Sequence, residues 1–241
     1  MTQNIENYTT LSLQIRWNRI RVANVFDALD SMGYCNQCLD LNIRPFLPTN
    51  HLAGLAVTIR GIRDPVDYER KEIKTRKNDE NIFDGSPDIR NYIFPGAVLV
   101  VDGGGELVSG KMGEMTSWCF KQAGAKGVVV DGYIRDRLGL DVIEDYCVCA
   151  RGTSPIESNK RWHVDSVNVP ITIPGTLTHQ VPIFPNDWVI GGDDGVIVVP
   201  QAIANEVLIL AEDIENREEG MRKDLAAGLP FNEVYGKWGR S

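Results

Sequence analysis

"GVVVDGYIRD", residues 127–136, decides the fold. Three valines behind a glycine read as a strand buried on both faces, since strands in parallel sheets are near-continuous apolar runs. The run stops at Asp131-Gly132, and three residues later Arg135 stands beside Asp136. Upstream, "AVLVVDGGGEL" (97–107) is a second buried strand that also ends in an aspartate and glycines. Between them "EMTSWCFKQAGAKG" (114–127) reads as a helix with a glycine-rich exit. Strand, helix, strand at this spacing predicts a βαβ unit with two parallel strands. Ligands of such sheets collect beyond the carboxyl ends of the strands, which puts Arg135 and Asp136 at that rim. Adjacent residues do not stack as an i,i+4 helix pair does. They are better placed to face two ligand groups, Arg135 an anion or carbonyl oxygen and Asp136 a cation. The plainer alternative is a surface ion pair with outside partners, worth about 0–1 kcal/mol.

The rest of the chain frames this unit. Residues 11–32 read as helices, and "RVANVFDALDSMG" carries the stripe Val22, Val25, Phe26, Leu29 with Gly33 at a C-cap position. "LAGLAVTIRG" (52–61) is a β-branched strand bounded by glycines. Residues 63–92 are dense in charge and poor in apolar side chains, which reads as a solvated insertion or, more sharply, a lid over a site. "VNVPITIPG" (167–175), "DWVIGGDDGVIVVP" (187–200) and the stretch between them predict further strands with tight turns, and 202–228 a long amphipathic helix. The aromatics of the last residues, Tyr235 and Trp238 among them, call for a surface to pack on.

Composition bounds the function. The chain has 241 residues, 43% of them hydrophobic, which suits one domain. With 25 basic against 33 acidic residues the net charge is −8, which argues against a nucleic-acid partner. The polar start "MTQNIENYTT" lacks the apolar core of a secretory signal. No run approaches the roughly 18 apolar residues of a membrane helix. A soluble, cytoplasmic protein with no membrane partner is the expectation. Five cysteines, an odd number, suggest reduced thiols. "CNQC" (35–38) has the spacing of half a zinc site, but a structural zinc needs four ligands. "CVC" (147–149) has the wrong spacing and on a strand would put both thiols on one face. Small buried hydrophobes is the reading taken for these cysteines.

The glycines at 103–105 do not form a dinucleotide fingerprint, because they are consecutive and the next helix begins about ten residues later. They suit a sharp turn or a close backbone approach. Gly113 lies at a helix start, where unpaired amides and the positive end of the helix dipole favour a small anion. Glu114 could merely complement that dipole. Together, the amides of 113–116, the carboxylate of Glu114 and the Arg135-Asp136 pair share one edge of one unit. That set suits a 2-oxo acid, its carboxylate on the helix N-terminus, its keto oxygen toward Arg135 and a metal held by Asp136.

The chain resembles the 4-hydroxy-4-methyl-2-oxoglutarate aldolases, the class II pyruvate aldolases of the RraA-like superfamily. The likeness rests on "PGAVLVVDGGGE" (95–106), "GEM" (113–115), "AGAKGVVVDGYIRD" (123–136), "CARGTSP" (149–155), "VNVPITIPG" (167–175) and "GGDDGVIVVP" (191–200), and covers most of residues 20–210. The family signature is an acid, twenty residues, then Arg-Asp. Glu114 holds the acid position, where the aldolases usually have aspartate, and Arg135-Asp136 closes the motif. The resemblance implies an α/β fold, an α/β/β sandwich of the swivelling-domain-like type, over residues 1–200, with a C-terminal helix and tail over 201–241. It implies trimers or hexamers with sites at subunit boundaries, where Asp193 or Asp194 of a neighbour is the candidate extra acid. By the same carry-over, Gly113, Glu114, Met115, Thr116 and Arg135 bind substrate. Asp136 holds magnesium or manganese; beyond the carry-over, the chemistry makes Arg135 the candidate to stabilise charge on the keto oxygen and Glu114 the candidate to orient a water in the metal's shell that shuttles the proton. The implied activity is retro-aldol cleavage of a 4-hydroxy-2-oxo acid to pyruvate, with oxaloacetate decarboxylation through the same enolate. The alternatives are a lyase or hydro-lyase on a sugar-derived acid, set by the 63–92 insertion, and a protein-binding regulator like the superfamily's ribonuclease E inhibitors. Those inhibitors lose the aspartate of the Arg-Asp pair, which this chain keeps.

Overall fold

The computed structural model describes residues 2–47, 51–64, 87–159 and 161–239. Most of the charged stretch read as an insertion or lid, residues 65–86, lies outside the described residues. Two helices, α1 (Thr2–Trp17) and α2 (Val22–Ser31), precede a two-residue strand, β1 (Arg44–Pro45). The sheet's parallel centre follows as β2 (Leu52–Arg63), β3 (Val98–Asp102), α3 (Glu114–Gln122), β4 (Gly127–Ile134), α4 (Arg137–Leu140) and β5 (Cys147–Thr153). Then come β6 (Trp162–Val167), β7 (Ile171–Ile173), β8 (Val181–Ile183), β9 (Trp188–Gly192) and β10 (Gly195–Val199), and finally α5 (Ala204–Ala226) and α6 (Phe231–Trp238).

The main sheet runs β1-β5-β4-β3-β2-β9-β10, with β6 on the far half of β2. β2, β3, β4 and β5 are mutually parallel, and β3-α3-β4 is the βαβ unit expected. β2 is long enough to serve two partners on one side. Its first residues pair with β9 and its last with β6, across a shift at Arg60/Gly61. Gly61 lies directly under the Trp162 ring, so any side chain there would collide with it.

Alternation along the strands sorts the core into layers. Leu99, Val101, Val128, Val130, Val148 and Ala150 face Phe120 of α3 and Trp162. Val98, Val100, Val129, Cys147 and Cys149 face the other way, onto Leu39, Ile43 and the β7–β8 ribbon. A third cluster joins α2 and α5 over β9 and β10, with Val25, Leu29, Val207, Leu208 and Ala211 sealed from solvent. The predicted α2 stripe holds: Val22, Val25 and Leu29 are buried, Phe26 is partly so, and Gly33 takes the left-handed C′ place at φ +83°. Of the tail aromatics expected to pack, Trp238 does, while Tyr235 remains exposed at 39%. α6 lies on α5, where Trp238 stands over Gly220 and its indole N–H donates to Asp224 at 2.7 Å.

Two readings are corrected. β4 does not stop at Asp131-Gly132 but continues to Ile134. Between Val130 and Tyr133 it advances three residues while β5 advances two, from Ala150 to Gly152. The Asp-Gly pair is therefore a bulge inside the strand. The cysteines are not uniformly buried: Cys147 and Cys149 are, with their Sγ atoms 3.8 Å apart on one face, but Cys35 is exposed. Among the described residues, no helix is long and apolar enough to cross a membrane.

Candidate active site

The carboxyl edge of the parallel strands carries the groups singled out in the sequence. After β3 the chain turns through Gly103, Gly104 and Gly105, the last two with positive φ. A Cβ on Gly103 would strike the Asp131 carbonyl, and one on Gly104 the Gly61 carbonyl, so both glycines permit backbone to lie on backbone. The chain then runs beside the end of β4. Lys111 N–H donates to the Tyr133 carbonyl at 2.8 Å, and Arg135 N–H donates to the Met112 carbonyl at 2.9 Å. This short tie seats the start of α3 against Arg135 and Asp136.

Gly113 is the N-cap of α3 and offers no capping side chain. The first intrahelical donor is the Ser117 amide, bonded to the Gly113 carbonyl at 3.1 Å. The amides of Glu114, Met115 and Thr116 therefore point out of the helix end, as the first amides of any α-helix do. Gly113 also clears space: a Cβ there would collide with Oδ2 of Asp136 and come within 3.0 Å of Cγ of Arg135. Glu114 reaches toward α4, where a Cβ on Gly139 would meet its carboxylate.

Asp136 has φ 59°, ψ 39°, a left-handed conformation uncommon outside glycine, asparagine and aspartate. It stands at the N-cap of α4, yet its carboxylate makes no capping bond. It faces Arg135 instead, with Nε 3.4 Å from Oδ2. The expectation that neighbours would look only outward is thus modified: the two meet, but without a hydrogen bond. Nε of Arg135 is sealed from solvent with no hydrogen-bond partner among the described residues. That N–H faces the Asp136 carboxylate, so the part of the guanidinium open to an incoming oxygen is the partly exposed remainder of the side chain. Both side chains remain partly exposed, 35% for Arg135 and 45% for Asp136.

Gly113, Glu114, Met115, Thr116, Arg135 and Asp136 are therefore brought to one edge of the sheet, hereafter the groove. Asp193 and Asp194 are not. They sit exposed in the β9–β10 turn, beside the amino end of β2, where Leu52 pairs with Gly191. A cavity of about 340 Å³ also lies at the amino ends of the strands, lined by His51, Lys126, Asp141 and Glu144 among others, and is separate from the groove.

Two buried charge clusters beneath the groove were not foreseen. Lys111 and Glu106 form an ion pair at 2.7 Å, with 0% and 1% of the side chains exposed. Lys111 also donates to the Glu106 carbonyl at 2.5 Å, and the Ser109 hydroxyl to the Glu106 carboxylate at 2.7 Å. Burial pushes the Glu106 carboxyl up, but the bonds from Lys111 and Ser109 outweigh it and hold it below the usual range. On the opposite face Arg151 bridges Asp131, at 2.6 Å, and Asp40, at 2.9 Å. Nearby, burial and the Asp131 charge raise the Asp102 carboxyl. The aspartates that end the two apolar runs were visible in the sequence; their partners were not.

Comparison with known proteins places the chain. The family model described as RraA-like, Aldolase/RraA, matches residues 22–198. The chain belongs to the RraA-like family. It is 34% identical over 141 residues to a protein of Halalkalibacterium halodurans named "Putative 4-hydroxy-4-methyl-2-oxoglutarate aldolase". That match spans 58% of this chain and 64% of the relative. The structure of an uncharacterized protein from Pseudomonas syringae pv. tomato superimposes with TM-score 0.74 at 24% identity, covering 93% of this chain and 96% of that one. RraAS2 of Streptomyces coelicolor, described as an unusual member of the RNase ES inhibitor RraA protein family, gives TM-score 0.69 at 27% identity over 88% of this chain and 96% of its own. The RraA-like fold expected from the sequence, mixed α/β with a C-terminal helical extension, is the fold found.

Proposed function

We propose that this RraA-like protein is a divalent-metal-dependent lyase that cleaves a 4-hydroxy-2-oxo acid and releases pyruvate. The observation that carries the reading is the convergence of an uncapped helix start, a partly exposed Arg135 paired with Asp136, and the left-handed turn that holds that aspartate. The aldolase names of the curated relatives point the same way.

The residues fit a hard, water-rich ion. Among the described residues no group of three or more His, Cys, Asp or Glu side chains converges. Magnesium is commonly held by one or two carboxylates with waters completing its shell, and Asp136 offers a partly exposed carboxylate for it, as manganese would also accept. When bound, the ion supplies Lewis acidity toward the 2-oxo acid.

The chain's own groups account for the rest. The amides of Glu114, Met115 and Thr116 bind the substrate carboxylate. Arg135 donates to the 2-keto oxygen and stabilises the charge that grows there. Donors of this kind contribute about 3–4 kcal/mol to the barrier. As the C4 hydroxyl gives its proton to a water oriented by Glu114, the C3–C4 bond breaks, C4 becomes a carbonyl and C1–C3 leave as the enolate of pyruvate. C3 then takes a proton, with Glu114 handling the proton through water. Loss of carbon dioxide from oxaloacetate gives the same enolate, so both substrates fall within reach.

We infer a homotrimer or homohexamer. Met115, at 69%, and Leu138, at 86%, are exposed apolar side chains next in sequence to Glu114 and Arg137, the kind of surface that marks an interface. Light scattering at micromolar concentration checks this, and an active monomer would sink it. The likeness to RraAS2 favours a second reading, a protein-binding regulator. One screen separates the two: pyruvate release from 4-hydroxy-2-oxo acids and oxaloacetate, with and without magnesium, for the wild type, Asp136→Ala and Arg135→Lys. Asp136→Ala should lose metal activation with its fold intact. Arg135→Lys should lose about a hundredfold or more in kcat, because lysine lacks the planar fork. Full activity after chelation would refute the metal requirement, wild-type kcat in both variants would refute the roles of Arg135 and Asp136, and no pyruvate release from any of these substrates would refute the lyase and leave the regulator.

A further inference from the structure

We infer that Lys111 is a positioning residue, whose buried pair with Glu106 holds the start of α3 against Arg135 and Asp136. The inference rests on the lyase reading of the groove. Lys111 is two residues from the N-cap Gly113, and its backbone N–H is already tied to Tyr133. Its side chain turns inward and is fully enclosed. The stem passes between the two glycine turns: a Cβ on Gly103 would lie 3.1 Å from Cε, and a Cβ on Gly132 2.9 Å from Nζ. The ammonium stands 5.8 Å from the centre of the Trp162 ring. It ends on Glu106, whose carboxylate also accepts from the amides of Val108 and Ser109 at 2.9 and 3.0 Å. The side chain thus closes the turn after β3 on itself where it packs beside the bulge of β4; the backbone bonds of Lys111 and Met112 to Tyr133 and Arg135 then fix that closed turn to β4 and deliver Gly113 to the site.

A buried ion pair is weak evidence for stability, because desolvation offsets much of the attraction. Its more specific effect here is geometric. Removing one partner leaves a buried charge, and the turn must move to rehydrate it. Displacing the α3 amides by about 1 Å relative to Arg135 costs roughly a hundredfold in rate.

The test uses three variants. Lys111→Met keeps the stem and deletes the charge. The double variant Lys111→Met/Glu106→Leu replaces the pair by apolar groups, an exchange that is often neutral or stabilising. Ser109→Ala removes a single hydroxyl from the Glu106 cluster. Measured are melting temperature, amide hydrogen exchange over 106–117 with 127–130 as internal reference, oxalate affinity with magnesium by calorimetry, and pyruvate release. Lys111→Met should speed exchange over 106–117 by about tenfold or more, the reference strand staying unchanged. It should also weaken oxalate by about tenfold or more, the loss of one hydrogen bond to a charged group. The double variant should melt like the wild type yet bind oxalate at least about tenfold more weakly. That split is one a merely structural pair would not produce. A double variant with wild-type melting, exchange and oxalate affinity overturns the proposal. If neither Lys111 variant folds, Ser109→Ala decides, and unchanged exchange over 106–117 overturns it. A wild type that neither binds oxalate nor releases pyruvate refutes the lyase reading instead, and the exchange data still judge Lys111.

Discussion

Replacing Gly113 by alanine isolates the groove from the fold. Gly113 has φ −127°, ψ −170°, extended backbone that alanine adopts freely, so the substitution adds no backbone strain. Two small effects on stability oppose each other. Alanine is a poorer N-cap than glycine, a loss of up to about 1 kcal/mol. The less flexible unfolded chain returns about 0.4–1 kcal/mol. The net change should stay within about 1 kcal/mol, a shift of roughly 2–4 °C in melting temperature for a chain of this size. The new methyl group, however, would overlap Oδ2 of Asp136 and press on Cγ of Arg135. Restoring ordinary contact moves the carboxylate by about 1 Å or turns it to another rotamer. A misplacement of that size costs about a hundredfold in rate, near 2.7 kcal/mol at 1.36 kcal/mol per decade. The assay is magnesium-dependent pyruvate release alongside thermal melting, with Gly236→Ala as control, since a Cβ there meets nothing within 4 Å. Wild-type kcat and magnesium half-saturation in Gly113→Ala would show that the contact between Gly113 and Asp136 has no part in the chemistry.

Two further predictions concern the charge beneath the groove. Arg151→Met strands Asp131, which is 7% exposed, together with Asp40; a cost of about 3–5 kcal/mol is expected, and denaturant unfolding showing under about 1 kcal/mol would contradict the network. Glu106 titrates below the usual carboxylate range in the folded protein, so its contribution is complete above that range and is lost as pH falls through the folded value. The gap in melting temperature between wild type and Glu106→Gln should therefore narrow on acidification; a constant gap from neutral to strongly acid pH would rule the pair out as the source.

The sequence made the centre of the sheet legible because β3, α3 and β4 are punctuated by glycines and written in valine. The groove residues were legible for a different reason: Gly113 begins a helix, and Arg135-Asp136 follows a buried strand, so their places follow from chain direction alone. Register was not legible. Nothing in "VVDGYI" says that Asp131-Gly132 is a bulge, since that depends on how β5 counts past it. β6 was missed because "WHVDSV" buries only Trp162, Val164 and Val167, a pattern broken by the polar residues between them. Side-chain partners were also hidden. Lys111 and Glu106 are five residues apart with three glycines just before them, and Arg151 finds Asp40 across 111 positions.

These hidden partners explain why a buried strand carries an acid and a glycine before its arginine. Asp131 is tolerated in the core because Arg151, from the neighbouring strand, meets it at 2.6 Å. Gly132, at φ +153°, adopts backbone that a side chain would resist and leaves room for the Lys111 ammonium. The bulge they make sends β4 on to Ile134, fully buried, and only then out to Arg135. Ile134 fixes where the strand leaves the core, and the left-handed turn at Asp136 brings its carboxylate back toward Gly113 and the guanidinium. Each step from Asp131 to Asp136 thus sets the direction of the next. The acid and glycine that precede the arginine act on the course of the backbone. They decide whether Arg135 and Asp136 arrive on the same side of the α3 amides, and a fault there would reach the chemistry through geometry, with the reacting groups themselves unchanged.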